Sequence, residues 1–268
     1  MSEHVIHAEL FVRGCTAELY VNGIPLRRNV WPVKPFVSIP VHQYLVPGDN
    51  RIELLVEPGP TPSRAREAAV MRRMPGAAAA ARLVRYEEGE FTDVEYGEQL
   101  AEVAWEGEAD TDEVFAKSLG ATAGLGERSG RWSWQDAAPI VLDDATRAEI
   151  AHVLGTIAQA FERGDPGPVL SLLKVRFEEG IRAYPVNDEA TLTKELTAYV
   201  HEVANEGWKV RRLEPEAFSF RLCAGDRLVE LVDKDWLPSL RFFAPDDEEP
   251  YGYALMLARI EGRLVVVR

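Results

Sequence analysis

Apolar and polar residues alternate through much of the first half of the chain, then recur every three or four positions, then alternate again. In Ala17-Glu18-Leu19-Tyr20-Val21, Ala17, Leu19 and Val21 fall on one side of an extended chain and Glu18 and Tyr20 on the other, the pattern of a half-buried strand. Asn22-Gly23 follows, the dipeptide that most readily supplies positive φ at a tight turn. A second strand is predicted over residues 36–45, with Pro40 marking an edge or a bulge. Pro47-Gly48-Asp49-Asn50 reads as a turn, after which Ile52, Leu54 and Val56 share one face. Further strands are predicted at 81–86, 100–105 and 131–142. In the last of these, Trp132 and Trp134 share a face and read as core rather than as a stacking platform for a sugar.

Two stretches interrupt this rhythm. Over residues 61–76, Thr61 suits a cap, Pro62 the first helical position, and Arg72 and Arg73 the carbonyl end before Pro75-Gly76, so a short helix is predicted. Residues 107–130 are rich in Gly, Ala, Asp and Glu and read as a long loop. Its glycines lead into no Gly-Lys-Ser/Thr, so it is not a phosphate loop.

Helical spacing begins at Asp143-Asp144. Ile150, Val153, Leu154, Ile157 and Phe161 form one stripe that stops at Gly164. A second helix opens at residues 166–168 and carries Val169, Leu173, Phe177, Ile181 and Tyr184. A third runs from Asp188 through Leu192, Leu196, Tyr199, Val200 and Val203 to Gly207. The period then returns to two at 218–222, 228–232, 239–243, 251–260 and 264–267, with Gly225-Asp226 and Glu261-Gly262 as hairpin turns. A chain of 268 residues is also more than one core usually fills. The expectation is therefore two domains: an all-β sandwich over residues 1–142, then an α+β domain over 143–268 with three helices packed on an antiparallel sheet.

The stretch Ala17–Gly23, Pro35-Phe36 and Leu45-Val46-Pro47-Gly48-Asp49-Asn50-Arg51-Ile52-Glu53-Leu54 resembles the galactose-binding-domain-like jelly roll. That resemblance implies a sandwich fold, and it carries no ligand with it. The order of helices then strands, closing on residues 254–267, is similar to the nuclear-transport-factor-2-like fold, although no strand is evident between its second and third helices. That family spans isomerases, dehydratases and binding domains built round a conical cavity. In such a cavity Tyr199, His201 or Asp235 would be the candidates for acid–base work.

Composition narrows the partners. Lys and Arg number 30 against 44 Asp and Glu, a net charge of −14. That charge argues against nucleic acid or an anionic membrane, both of which draw on basic residues. Against this background Arg64, Arg66, Arg72 and Arg73 make a local basic island, either the solvated face of a helix that packs Val70 and Met74 inward or a contact for an anion or a partner. Arg dominating Lys, with abundant Ala, fits a GC-rich bacterial genome. Cys15 and Cys223, one in each predicted domain, suit free thiols in a reducing cytoplasm better than a disulfide. No leader-like N-terminus and no run of ~18 apolar residues is present.

Catalytic signatures are equally scarce. His4, His7, His42, His152 and His201 show no metal-ligand spacing, and no Gly-x-Ser-x-Gly occurs. The acids at Glu178, Glu179, Asp226, Glu230 and Asp233 read as no more than contributors to the net charge, and Asp246-Asp247-Glu248-Glu249 as a solvated hairpin loop without calcium-ligand spacing. No cofactor is implied. The sequence thus points to a non-catalytic cytoplasmic protein presenting an acidic surface to a macromolecular partner, a basic protein being the fitting kind. The alternative is a small-molecule binder or an isomerase- or dehydratase-type enzyme using a cavity in the second domain.

Overall fold

A computed structural model describes residues 4–72, 74–87, 97–108, 111–126, 130–184, 188–212, 217–245 and 250–268. Its contacts divide the chain into two compact units, Met1–Pro60 with Arg64–Arg131 and Thr61–Ser63 with Trp132–Arg268.

The first unit is β-rich. Its strands are β1 (His4–Arg13), β2 (Thr16–Val21), β3 (Ile24–Val30), β4 (Phe36–Pro40), β5 (Asp49–Val56), β6 (Ala69–Arg72), β7 (Ala78–Glu87), β8 (Glu98–Glu106), β9 (Asp112–Phe115) and β10 (Lys117–Gly124). Two four-stranded antiparallel sheets, β4-β1-β7-β8 and β10-β5-β2-β3, share one apolar cluster, and β6 pairs with β9 in a separate ribbon. The arrangement is compatible with a β-sandwich. Ala8, Leu10 and Val12 of β1 enter the cluster beside Ala79, Ala81 and Leu83 of β7, while Leu19, Ile52, Leu54 and Val56 enter it from the other sheet.

The turns explain the two motifs read from the sequence. Asn22 and Gly23 have φ of 52° and 76°, the paired positive angles of the hairpin that joins β2 to β3. Asn50, fully buried, donates from Nδ2 to Val46 O (2.8 Å) and Gly48 O (3.0 Å). Its Oδ1 accepts from Val46 N–H (2.7 Å) and from Asn22 Nδ2 (2.8 Å). One asparagine side chain thus ties the Pro-Gly-Asp-Asn turn to the Asn-Gly hairpin. The strand expected over 36–45 stops at Pro40, a residue without a backbone donor at the edge of its sheet, and His42–Tyr44 form a 3₁₀ turn instead.

Three expectations for this half are corrected. Residues 61–76 form no α-helix: Pro62–Arg64 is a single 3₁₀ turn, and β6 pairs with β9, Val70 facing Val114. A short isolated helix is marginal, and ladder hydrogen bonds outweigh weak local propensity. Residues 107–130 are not one long loop, because they contain β9 and β10. In β10 the inward positions are Leu119, Ala121 and Ala123 and the outward ones Gly120, Thr122 and Gly124; alternation written in such small residues is faint. Trp132 and Trp134 are buried, but not on a strand. They belong to the helical turn α1 (Ser133–Asp136), held where Gln135 Oε1 accepts from Trp132 N–H at 2.8 Å.

The second unit continues with α2 (Asp144–Arg163), α3 (Pro166–Ala183) and α4 (Glu189–Asn205). Each starts at an aspartate whose carboxylate accepts a free N–H of the first turn: Asp143 from Thr146, Asp165 from Gly167, Asp188 from Thr191. Gly164, at φ 66°, ends α2 in the left-handed conformation glycine allows. The strands that follow are β11 (Lys209–Arg212), β12 (Phe218–Cys223), β13 (Leu228–Asp233), β14 (Leu240–Phe243), β15 (Tyr251–Tyr253), β16 (Met256–Ile260) and β17 (Arg263–Val266). They form antiparallel sheets in the orders β11-β14-β15 and β12-β13-β16-β17. The helical stripe Ile150, Val153, Leu154, Ile157 and Phe161 packs with Val229, Leu231, Phe242, Leu257 and Val266 in one core, a combination compatible with α+β. The sequence reading missed β1, β3 and β11, and it merged β15 with β16.

Candidate functional site

Alternation in β1 sends Ala8, Leu10 and Val12 inward, so His7, Glu9 and Phe11 face away from the core. Register then decides what surrounds them. Phe11 lies opposite Phe36 on β4 and Ala80 on β7; Glu9 lies opposite Ser38 and Arg82; His7 lies opposite Pro40 and Val84. Phe11 and Phe36 are 41% and 42% exposed, unusual for neighbouring large rings on a strand face. Ala80 contributes no bulk beyond Cβ, so a groove opens among Glu9, Phe11, Phe36, Ala80 and Arg82, with a volume of about 180 Å³. This lies under the ~300–1,000 Å³ of sites that take drug-sized ligands, and suits one side-chain-sized group.

The floor of the groove is polar. Glu9 is only 3% exposed. Its Oε1 accepts from the Tyr86 hydroxyl at 2.5 Å and from Ser38 Oγ at 3.4 Å, and Glu9 lines the groove. Ser38 Oγ also meets His7 Nδ1 at 2.9 Å, and the His7 ring stands edge-on to Tyr86 at 5.4 Å. Tyr86 fits because Gly97 is a glycine: a Cβ there would come within 2.7 Å of the tyrosine ring. Burial, and secondarily the charge of His42, holds His7 below the ordinary imidazole value of 6.5. Burial also lowers His42, whose Nε2 accepts the Ile6 N–H at 2.9 Å. Both rings are therefore neutral at pH 7.

The charges in the groove are matched unequally. Arg82 Nε donates to Glu102 Oε1 across the β7–β8 ladder at 2.7 Å. Glu9 has no cation within ion-pair distance among the described residues. The site can thus offer a carboxylate between two aromatic walls. His7 and Ser38 touch, but the carboxylate bonds the serine rather than the imidazole, so the order needed to activate a serine nucleophile is not the one present.

The residues singled out from the sequence lie elsewhere. Tyr199 packs edge-on to Phe161 (5.5 Å), Phe242 (5.6 Å) and Trp208 (6.1 Å), and burial pushes its phenol up to about 12. His201 is exposed on the same helix, and positions two apart do not share a helix face. Asp235 is exposed and pairs with Lys234 Nζ at 2.7 Å. The three are thus in separate surroundings. Within the basic island, Arg64 pairs with Glu67 (2.6 Å from Nη2) and Arg66 with Glu53 (2.5 Å) while stacking on Tyr20. Arg72 lies on β6 opposite Asp112; Arg73, like Asp246 to Glu249, lies outside the described residues.

Cys15 and Cys223 are buried free thiols, and burial raises Cys223 well above its ordinary value, the wrong direction for a nucleophile. Among the described residues no group of three His, Cys, Asp or Glu side chains is placed to hold a metal ion, and no helix is long and apolar enough to cross a membrane. No family model, no curated protein and no solved structure matches the chain.

The groove was invisible in the sequence because its lining comes from three strands whose register no local pattern reveals. One signal existed: in His7-Ala8-Glu9-Leu10-Phe11-Val12 the side of the strand opposite Ala8, Leu10 and Val12 carries a phenylalanine. A large ring on the polar side of a strand marks a face with a second role.

Proposed function

We propose that this chain is a non-catalytic binding protein that offers an acidic surface to a macromolecular partner, a basic protein. The observation that carries the reading is the outer face of β4-β1-β7-β8, where exposed Phe11 and Phe36 stand opposite each other beside a buried carboxylate. Trp31 and Val33, in the connection into β4, are also exposed. Aromatic surface beside negative charge suits Arg and Lys, whose long stems bring methylenes as well as charge. A net charge of −14 would steer such a partner into contact. In the second unit, Phe161, Tyr199, Phe242 and Tyr253 fill interior space with ring-on-ring contacts, which favours interaction over a reaction held in a cavity there. On this reading the first unit is a galactose-binding-domain-like jelly roll, supported by its paired sheets and linked turns. The second is a nuclear-transport-factor-2-like scaffold, supported by three long helices preceding antiparallel strands. The protein works in the cytoplasm, where its two buried free thiols are at home.

The test is selection of random displayed peptides on the immobilised protein. Enrichment in Arg and Lys is expected, with binding that weakens as ionic strength rises through about 0.1 M, where screening acts over roughly 10 Å. Selected peptides of neutral or acidic composition would refute the reading.

A further inference from the structure

We infer that the groove over Glu9 is a receptor for a single organic cation, the guanidinium of an arginine presented by the partner, held between Phe11 and Phe36. The inference rests on the partner-binding reading and names the group that enters. Three observations carry it. The Glu9 carboxylate is 3% exposed and lines the groove, both of its bonds fall on Oε1, and no cation lies against it among the described residues. A charge so deeply desolvated is stabilised most by a counter-ion delivered to it. The walls are aromatic, and a guanidinium, planar and weakly hydrated, stacks on such faces better than an ammonium does. The volume of about 180 Å³ admits one side-chain head and little more.

The positive charge already in the groove does not take this role. Arg82, opposite Glu9 across the ladder, commits its guanidinium to Glu102, whose other oxygen accepts from Gln99 Nε2 at 3.3 Å. Counting Glu9, Arg82 and Glu102, and with His7 neutral, the groove carries one uncompensated negative charge. An anionic ligand would have to displace Glu102 and then sit beside Glu9. The cation has the open place.

The experiment titrates the whole protein with the peptide acetyl-Gly-Arg-Gly-amide, and with the same peptide carrying neutral, near-isosteric citrulline, following the ring protons of Phe11 and Phe36 by NMR. A single side chain is expected to bind at about 1 mM. The arginine peptide should shift both rings, and citrulline should bind at least about tenfold more weakly. Glu9→Gln keeps an oxygen for Tyr86 and Ser38 while removing the charge, and should weaken the arginine peptide by about tenfold or more. Phe36→Ala, at an exposed edge position, should weaken it as well and serves if Glu9→Gln fails to fold. Equal binding of arginine and citrulline overturns the inference, as does a preference for acetyl-Gly-Glu-Gly-amide. Basic peptides selected by the protein that leave Phe11 and Phe36 unshifted would overturn the groove while leaving the basic-partner reading standing; selection of non-basic peptides would remove both.

Discussion

Glu9 in the first unit and Glu179 and Asp233 in the second are buried acids satisfied in opposite ways. In the second unit Glu179 is 4% exposed and receives Arg268, itself buried, on one oxygen and the Ser133 N–H on the other at 2.6 Å, with Trp132 under the Arg268 guanidinium. Asp233 likewise faces Arg241 and accepts N–H groups from Asp235 and Leu237 at 2.7 and 3.0 Å. In the first unit Glu9 is just as buried but, among the described residues, has only hydroxyl donors. A buried charge with a buried counter-charge is a closed structural unit. A buried charge with only neutral donors is stabilised less, and gains more from a counter-ion delivered to it.

The comparison breaks most decisively at Glu179. Glu179→Ala leaves the Arg268 guanidinium buried without its carboxylate and is expected to destabilise by about 4 kcal/mol, within the range for breaking a buried pair. Urea unfolding measures it, and a loss under about 1 kcal/mol would show the pair to be dispensable. Asp233→Ala should follow at about 3 kcal/mol, since the backbone donors of the same turn also lose their acceptor. Asp233 also sets a pH dependence. Burial opposes its ionisation, yet the Leu237 and Asp235 N–H groups and Arg241 together hold its carboxyl below the ordinary value of 3.8. A depressed acid stabilises the fold fully above the unfolded value, and that contribution is lost as pH falls below about 3.8 through the folded value. Wild type should therefore lose more stability than Asp233→Asn between pH 5 and strongly acidic solution. Parallel curves for the two would remove Asp233 from the account.

These paired acids show what sequence could and could not reveal. The three long helices were legible because each announces itself locally: an aspartate cap, a stripe stepping by three or four, and a glycine beyond α2 and α4. The hairpins at Gly225-Asp226 and Glu261-Gly262 were legible for the same reason, and all four residues take positive φ. Strands β9 and β10 were hidden because Ala and Gly carry the alternation, and β6 because local helix signals were overridden by its partner strand. Which acids are paired was beyond reach in principle. Glu179 and Arg268 are 89 positions apart, and Tyr86 and Glu9 are 77 apart. Local pattern carries no register across such separations, so the groove residues appeared in the sequence as unrelated single positions.

A smaller effect tests the surroundings of Glu9. His7 and His42 both sit below 6.5, chiefly through burial. Between the folded values and 6.5 the unfolded chain binds more protons, so stability is complete above pH 6.5 and declines as pH falls below it. Protonated His42 also cannot accept the Ile6 N–H. The expected result is a loss of stability from pH 7 to pH 5 that is reduced in His42→Gln, whose side-chain oxygen can still accept. NMR titration of the two imidazoles above 6.5 would reverse the sign and defeat the prediction.

The smallest expected change is the most informative, because removing this buried charge should do almost nothing. Glu9→Gln retains an acceptor for Tyr86 and Ser38 and discards a charge that no cation among the described residues balances. The lost charge-assisted character of the Tyr86 bond and the relieved desolvation act in opposite directions. The variant should unfold within about 1 kcal/mol of wild type, against about 4 kcal/mol for Glu179→Ala in the same urea series. A loss of more than about 2 kcal/mol at Glu9 would mean that its carboxylate is already balanced within the folded chain, and the distinction between the two kinds of buried acid would collapse. A near-zero result combined with a weakened arginine peptide would place the value of this charge in binding and outside folding, where a residue kept for a partner should have it.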